Sequence, residues 1–157
     1  MSRTSNKDPY IQALRWLGYR DYSSACLAKR LREQGYDQLL VEQTVSRLID
    51  EGWLDDFRLA RQIIEQCLAT QTMGPGLIRH RLMSRGLSRE IWDNILQERI
   101  QAIDWLKIAE ALEERYDMNE PRERLRFGRY LIRRGFPTAV AWQLAGPDNA
   151  PATEKEC

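Results

Sequence analysis

The sequence predicts an all-α protein of three tandem three-helix repeats forming an elongated, curved array. Three observations predict it. Apolar residues recur at helical spacing, as in Ile11-Leu14-Leu17 and Leu40-Val45-Leu48-Ile49, and alternating β-branched runs are absent. The nine glycines and six prolines of the 157 residues gather at a few points rather than scattering. Three segments align on one glycine: Leu27-x-x-x-Leu31-x-x-x-Gly35-Tyr36, Ile78-x-x-x-Leu82-x-x-x-Gly86-Leu87 and Phe127-x-x-x-Leu131-x-x-x-Gly135-Phe136, with the glycines 51 and 49 residues apart.

Each element follows from local chemistry. In repeat 1 (9–52) a first helix occupies roughly 10–20, and Ser23 and Ser24 start a second. Leu27 and Leu31 place one apolar stripe on that helix. Gly35 stops it in a left-handed cap, with Tyr36 placed to pack back on the last turn. Asp37 then opens a third helix whose buried face is expected to start at Leu40. Repeat 2 (53–100) follows the same plan: a helix over 56–72, Gly74-Pro75 starting the second, Gly86 and Leu87 ending it, then Ser88 and Ile91. Repeat 3 (101–146) has a helix over 102–117, Asn119 before Pro121, the stop at Gly135 and Phe136, then Pro137 and Val140. Residues 1–8 and 147–157 lack apolar periodicity and read as flexible tails. A module of about 50 residues buries too little apolar surface alone, so neighbours are expected to share core as in a short solenoid.

Composition excludes several classes. With 43% apolar and 30% charged residues the chain is neither disordered nor fibrous. Its apolar runs are far below the roughly 20 residues needed to cross a bilayer, and no signal-peptide core is present, so a cytoplasmic protein is expected. Cys26, Cys67 and Cys157 are widely spaced and form no disulfide framework or thiolate metal site. The single histidine, His80, stands among arginines and reads as a surface residue. Gly74-Pro75-Gly76 lacks the spacing of a phosphate loop. Asp55 and Asp56 read as an N-cap and a first-turn acid rather than a catalytic pair. Core packing is expected for most tryptophans and tyrosines, with Trp105 and Tyr130 as candidates for exposure. No catalytic constellation, metal site or cofactor is expected, and the chain does not read as an enzyme.

The net charge of +1, from 24 basic and 23 acidic residues, conceals segregation. The second helix with its cap carries +2 over 23–36, +3 over 74–87 and +4 over 119–136, leaving −8 elsewhere. An element that is basic three times points to a polyanion or an acidic protein surface as partner. The candidate contacts are Lys29, Arg30, Arg79, Arg81, Arg85, Arg126, Arg129, Arg133 and Arg134.

A family resemblance is carried by Gly52-Trp53-Leu54-Asp55-Asp56, Arg58-Leu59-Ala60, Gly74-Pro75 and Ile78-Arg79-x-Arg81-Leu82-x-x-Arg85-Gly86-Leu87. Their order and spacing are similar to the central signature of the RecX family, and similarity extends over about residues 10–146. The resemblance implies three tandem three-helix repeats. It also implies a small regulator that binds the RecA recombinase or its DNA filament, lodges in the filament groove, and inhibits ATPase, strand-exchange and coprotease activity. A monomer without cofactor is expected. The alternative reading is a helical-repeat protein that binds DNA without RecA. The chain departs from the family at Glu65–Met73, where many relatives carry several Arg or Lys and this sequence has none.

Overall fold

The computed structural model describes residues 7–146; the expected tails, apart from Lys7 and Asp8, lie outside the described residues, as does Cys157. Nine α-helices are described: α1 (Pro9–Leu17), α2 (Ser24–Glu33), α3 (Gln38–Asp50), α4 (Asp56–Ala69), α5 (Pro75–Ser84), α6 (Arg89–Gln101), α7 (Trp105–Glu110), α8 (Pro121–Arg133) and α9 (Thr138–Ala145). A 3₁₀ turn, Glu113–Arg115, lies between α7 and α8, and no strand occurs among the described residues.

Short side chains supply the acceptors that helix starts need. Asp8 accepts from the Tyr10 amide at 2.9 Å, so it belongs to the first helix rather than to a tail. The Tyr36 hydroxyl donates to the Lys7 carbonyl at 2.8 Å. Ser23 accepts from the Cys26 amide at 3.2 Å, Asp37 from the Leu39 amide at 3.2 Å, and Asp104 from the Lys107 amide at 3.1 Å. Asp55 accepts from the Arg58 amide at 2.9 Å, leaving Asp56 in the first turn of α4. At α8 the start falls on Pro121 with Glu120, not Asn119, at the cap.

The three stops share one geometry. Gly35, Gly86 and Gly135 have φ of 91°, 75° and 80°, the left-handed region open to glycine. The next amide then reaches back five residues: Tyr36 to Leu31 at 3.3 Å, Leu87 to Leu82 at 3.2 Å, and Phe136 to Leu131 at 3.0 Å. All three side chains after the glycines are buried, as expected.

Two details differ from the sequence expectation. The buried face of each third helix begins one residue later, at Val41, Trp92 and Ala141, whereas Leu40 is exposed and Ile91 and Val140 are half-buried. Asp37, Ser88 and Pro137 turn the chain so that the sixth residue past the glycine, not the fifth, meets the core. The first helix of repeat 3 is also short. Glu110, Glu113 and Glu114 crowd what would be its C-terminal half, where carboxylates oppose the helix dipole. Burial, with the nearby Glu110 charge, raises the Glu113 pKa.

The described residues form two compact units, 7–64 with 81–96 and 65–80 with 97–146, so α4, α5 and α6 each contribute to both. The first unit has a core of Ala13, Trp16, Tyr22, Leu27, Leu31, Tyr36, Val41, Leu48 and Leu54. The second is centred on Ala109, Phe127, Leu131, Phe136 and Ala141. There α8 and α9 approach closely because position 128 is glycine; a Cβ on Gly128 would stand 2.7 Å from Ala145 Cβ. Tyr116, Phe127 and Tyr130 pack ring to ring beside it.

Candidate functional site

Which arginines are available to a partner depends on how successive repeats are joined, and one joint occurs in each unit. In the first unit Gly86 sits on the N-terminus of α2, where an added Cβ would lie 2.6 Å from Cys26 Sγ and 2.7 Å from Ser23 Oγ. The Cys26 thiol donates to the Arg85 carbonyl at 3.3 Å, and Arg85 Nη2 donates to the Asp21 carbonyl at 3.0 Å. In the second unit Gly135 sits on the N-terminus of α5. The Gly74 and Gly76 amides donate to the Arg134 and Gly135 carbonyls at 2.8 and 2.9 Å. Arg134 Nε and Nη2 donate to the Thr72 carbonyl and Oγ1 at 2.8 and 3.0 Å.

The repeat alignment makes these the same joint: Arg85 corresponds to Arg134, Asp21 to Thr72, Cys26 to Leu77 and Ser23 to Gly74. The arginine before each glycine therefore fastens its own repeat to the preceding one. Repeat 1 has no preceding repeat among the described residues, and there the corresponding residue is Gln34. Thr72, in the segment without basic residues, serves this joint as acceptor through both its carbonyl and its hydroxyl.

The joints differ in a complementary way at one pair of facing positions. In the first, Asp56 Oδ1 accepts from the Ser24 amide at 2.8 Å and from Ser24 Oγ at 3.2 Å, placing a carboxylate at the positive end of α2. In the second, Pro75 replaces Ser24 and has no amide proton, and Trp105 replaces Asp56. Trp105 is half-buried, edge to face with Phe136 at 6.0 Å. Replacing Asp56 with alanine is expected to cost about 1–3 kcal/mol, read as a lower urea midpoint at unchanged slope; a midpoint equal to wild type would remove Asp56 from the joint.

Against this frame of joints the candidate contacts separate. Arg30 lies over the Trp16 ring at 4.2 Å and donates to the Tyr22 hydroxyl, so it covers the first core. With Arg85 and Arg134 it is held by internal partners. Lys29 is exposed on α2, Arg81 is exposed on α5, and Arg79 is half-buried beside a groove lined by Pro75, Trp105 and Phe136. On α8, Arg126, Arg129 and Arg133 are exposed, and with Arg122 they stand at intervals of 4, 3 and 4 residues. That spacing aligns four guanidinium groups along one face over about 16 Å. Only Arg126 of the four has an ion pair among the described residues, to Glu123 at 3.3 Å, and its side chain remains 70% exposed. Arg122 was missing from the sequence candidates, although the 4-3-4 spacing identifies it.

The exposed tryptophan is Trp53, at 54%, rather than Trp105 or Tyr130, which are both half-buried. His80 is exposed. Among the described residues no group of three His, Cys, Asp or Glu side chains is placed to hold a metal ion. None of the described helices is long and apolar enough to cross a membrane.

A family model described as RecX, first three-helix domain, matches residues 10–48. The chain is 35% identical over 136 residues to a Regulatory protein RecX from Chromohalobacter salexigens, covering 85% of this chain and 88% of the relative. It is 32% identical over 142 residues to a Regulatory protein RecX from Syntrophotalea carbinolica, with coverages of 87% and 93%. A crystal structure of regulatory protein RecX superposes with a TM-score of 0.70 at 27% identity, over 84% of this chain and 68% of that one. The crystal structure of RecX from Lactobacillus salivarius gives 0.72 over 87% and 91%, and at 21% identity is a likeness of fold.

Proposed function

This chain belongs to the RecX family of regulatory proteins, and we propose that it binds the RecA recombinase on DNA and lowers its activity. The row Arg122, Arg126, Arg129 and Arg133 carries this reading. Four guanidinium groups on one helix face, three of them without an ion pair among the described residues, suit a surface rich in phosphate or carboxylate oxygens. A nucleoprotein filament presents both. The action requires no covalent chemistry: a protein lodged in the filament groove hinders addition of subunits and the closure that accompanies ATP hydrolysis. Lys29, Arg79 and Arg81 are further proposed contacts, while Arg30, Arg85 and Arg134 act through the fold that presents them.

The test is a titration of RecA assembled on single-stranded DNA with the full chain. ATP hydrolysis is expected to fall as the protein approaches stoichiometry with RecA. Unchanged hydrolysis, together with no binding to the filament, would overturn the proposal.

The same arginine row favours a second reading, direct DNA binding without RecA. It predicts salt-sensitive affinity for an oligonucleotide alone, lost when Arg126 and Arg129 are neutralised. Affinity that survives those changes excludes it.

A further inference from the structure

We infer that the first unit carries a second contact surface, apolar and acidic, which docks on the protein component of the filament rather than on its phosphates. This rests on the function proposed above and divides it between two surfaces.

Three large apolar side chains within nine residues remain about half exposed: Ile49 at 48%, Trp53 at 54% and Phe57 at 52%. They come from the end of α3, the turn after Gly52 and the first turn of α4. Ile49 and Phe57 line an open groove of about 400 Å³ with Leu54 and Ile91, and Trp53 lines a neighbouring cleft with Leu17 and Tyr22; Asp55 borders both. The Trp53 position is unusual for this fold. At the three repeat stops the residue after the left-handed glycine is buried against its own helix. Gly52 has the same left-handed φ, 80°, and the Trp53 amide makes the same bond back, to the Leu48 carbonyl at 2.9 Å. Here, however, the buried side chain is Leu54, at 2%, and the indole turns outward. Two amides bonded to one carbonyl and an anchored Leu54 fix the backbone that carries Trp53. The backbone that carries the exposed ring is thus pre-placed, and little backbone ordering is lost when a partner covers it. Exposed, clustered aromatic groups on a rigid support are the usual anchors of protein interfaces.

The charge around this cluster selects the partner. Asp50, Glu51 and Asp55 are exposed at its edge. The Tyr10 hydroxyl and Arg47 both bond to Glu51 and hold its carboxyl below the usual range, so it stays ionised. Arg47 pairs with Glu51 and lies on the face of Tyr10, so those two charges cancel, and Arg58 reaches the Gly52 carbonyl at 3.5 Å; Asp50, Asp55 and Asp56 outnumber Arg58 and leave this edge acidic. Carboxylates around an apolar centre repel phosphates and complement a protein surface whose apolar side chain is flanked by Lys or Arg.

The test compares the full chain with the double variant Trp53→Ser, Phe57→Ser and with Asp50→Lys. Each is titrated against RecA filaments on oligodeoxythymidine and against the oligonucleotide alone. The double variant is expected to lose at least tenfold in filament affinity, and Asp50→Lys several-fold, while neither loses affinity for the oligonucleotide. Filament affinity within twofold of wild type overturns the inference and leaves the proposed function standing. A parallel loss on the bare oligonucleotide overturns it too, because the surface would then be serving phosphates. Absence of wild-type filament binding overturns both. Acrylamide quenching of the unmodified protein, with Trp53→Phe to isolate the indole signal, gives a readout independent of the variants' folding. Filament is expected to shield Trp53, and unchanged quenching counts against the inference.

Discussion

Gly135→Ala is expected to destabilise the protein by about 3–5 kcal/mol, whereas Gly52→Ala is expected to cost only about 1–2 kcal/mol, although both glycines have φ of 80°. The shared part is the strain of a left-handed residue with a Cβ, about 1–2 kcal/mol. The difference is space. A Cβ on Gly52 meets nothing within 4 Å, whereas one on Gly135 would lie 2.1 Å from the Leu77 amide nitrogen and 2.9 Å from the Gly76 carbonyl carbon. Backbone cannot swing aside as a flexible side chain can, so the joint must open or the helices must shift. Gly74→Ala probes the same joint from the other side, with its Cβ 2.3 Å from the Gly135 carbonyl group and no left-handed strain. It is expected to fall between the other two. Urea denaturation of the three variants checks the ranking, and equal midpoints for Gly135→Ala and Gly52→Ala would refute the close approach at the joint.

The same glycines show what the sequence carried and where it stopped. A left-handed stop is a local event, so Gly35, Gly86 and Gly135 with their following apolar residues could be placed on helix ends from spacing alone. That two of them also press on the start of another helix is a long-range fact. No periodicity announces it; the only traces are the small or unbranched residues at the receiving positions, Ser23 and Gly74. The capping roles of Asp55 and Asp56 were legible for the same local reason. The bond from Asp56 to Ser24, 32 residues away, was not. Trp53 follows the same logic in reverse. Its residue type suggests burial, but whether an indole after a glycine stop points in or out depends on which neighbour takes the inward place, and Leu54 takes it here.

The contact surface was legible in sign but not in membership. A basic element occurring three times pointed to a shared partner, yet part of that recurrence has an internal cause. Arg85 and Arg134 recur because the joint recurs, and Gln34 stands at the corresponding place in repeat 1, which fastens to no earlier repeat among the described residues. Recurrence of charge at equivalent positions is therefore evidence for the joint, and spacing along a single exposed face is the better evidence for a partner.

That distinction yields opposite expected results for two sets of arginines. Reversing the α8 row, with Arg122, Arg126, Arg129 and Arg133 changed to Glu, is expected to weaken filament binding at least 100-fold at low salt. It should also flatten the salt dependence, by up to about 3 in log–log slope if all four face phosphates. Stability is expected to fall by only about 1–3 kcal/mol: the four side chains are exposed, the one ion pair, to Glu123, is a surface pair worth less than about 1 kcal/mol, and the remainder comes from like charges three and four residues apart and an acid in the last turn of α8. Changing Arg134 to Met keeps most of the side chain's length and removes its bonds to Thr72. This is expected to cost about 1–3 kcal/mol of stability, with filament affinity within about threefold of wild type. If Arg134→Met instead abolished binding in a protein of undiminished stability, the joint assignment would fail and Arg134 would return to the contact surface. If the α8 reversal left binding intact, the basic row would be solvated decoration, and the acidic, apolar surface around Trp53 would have to provide the whole of the recognition.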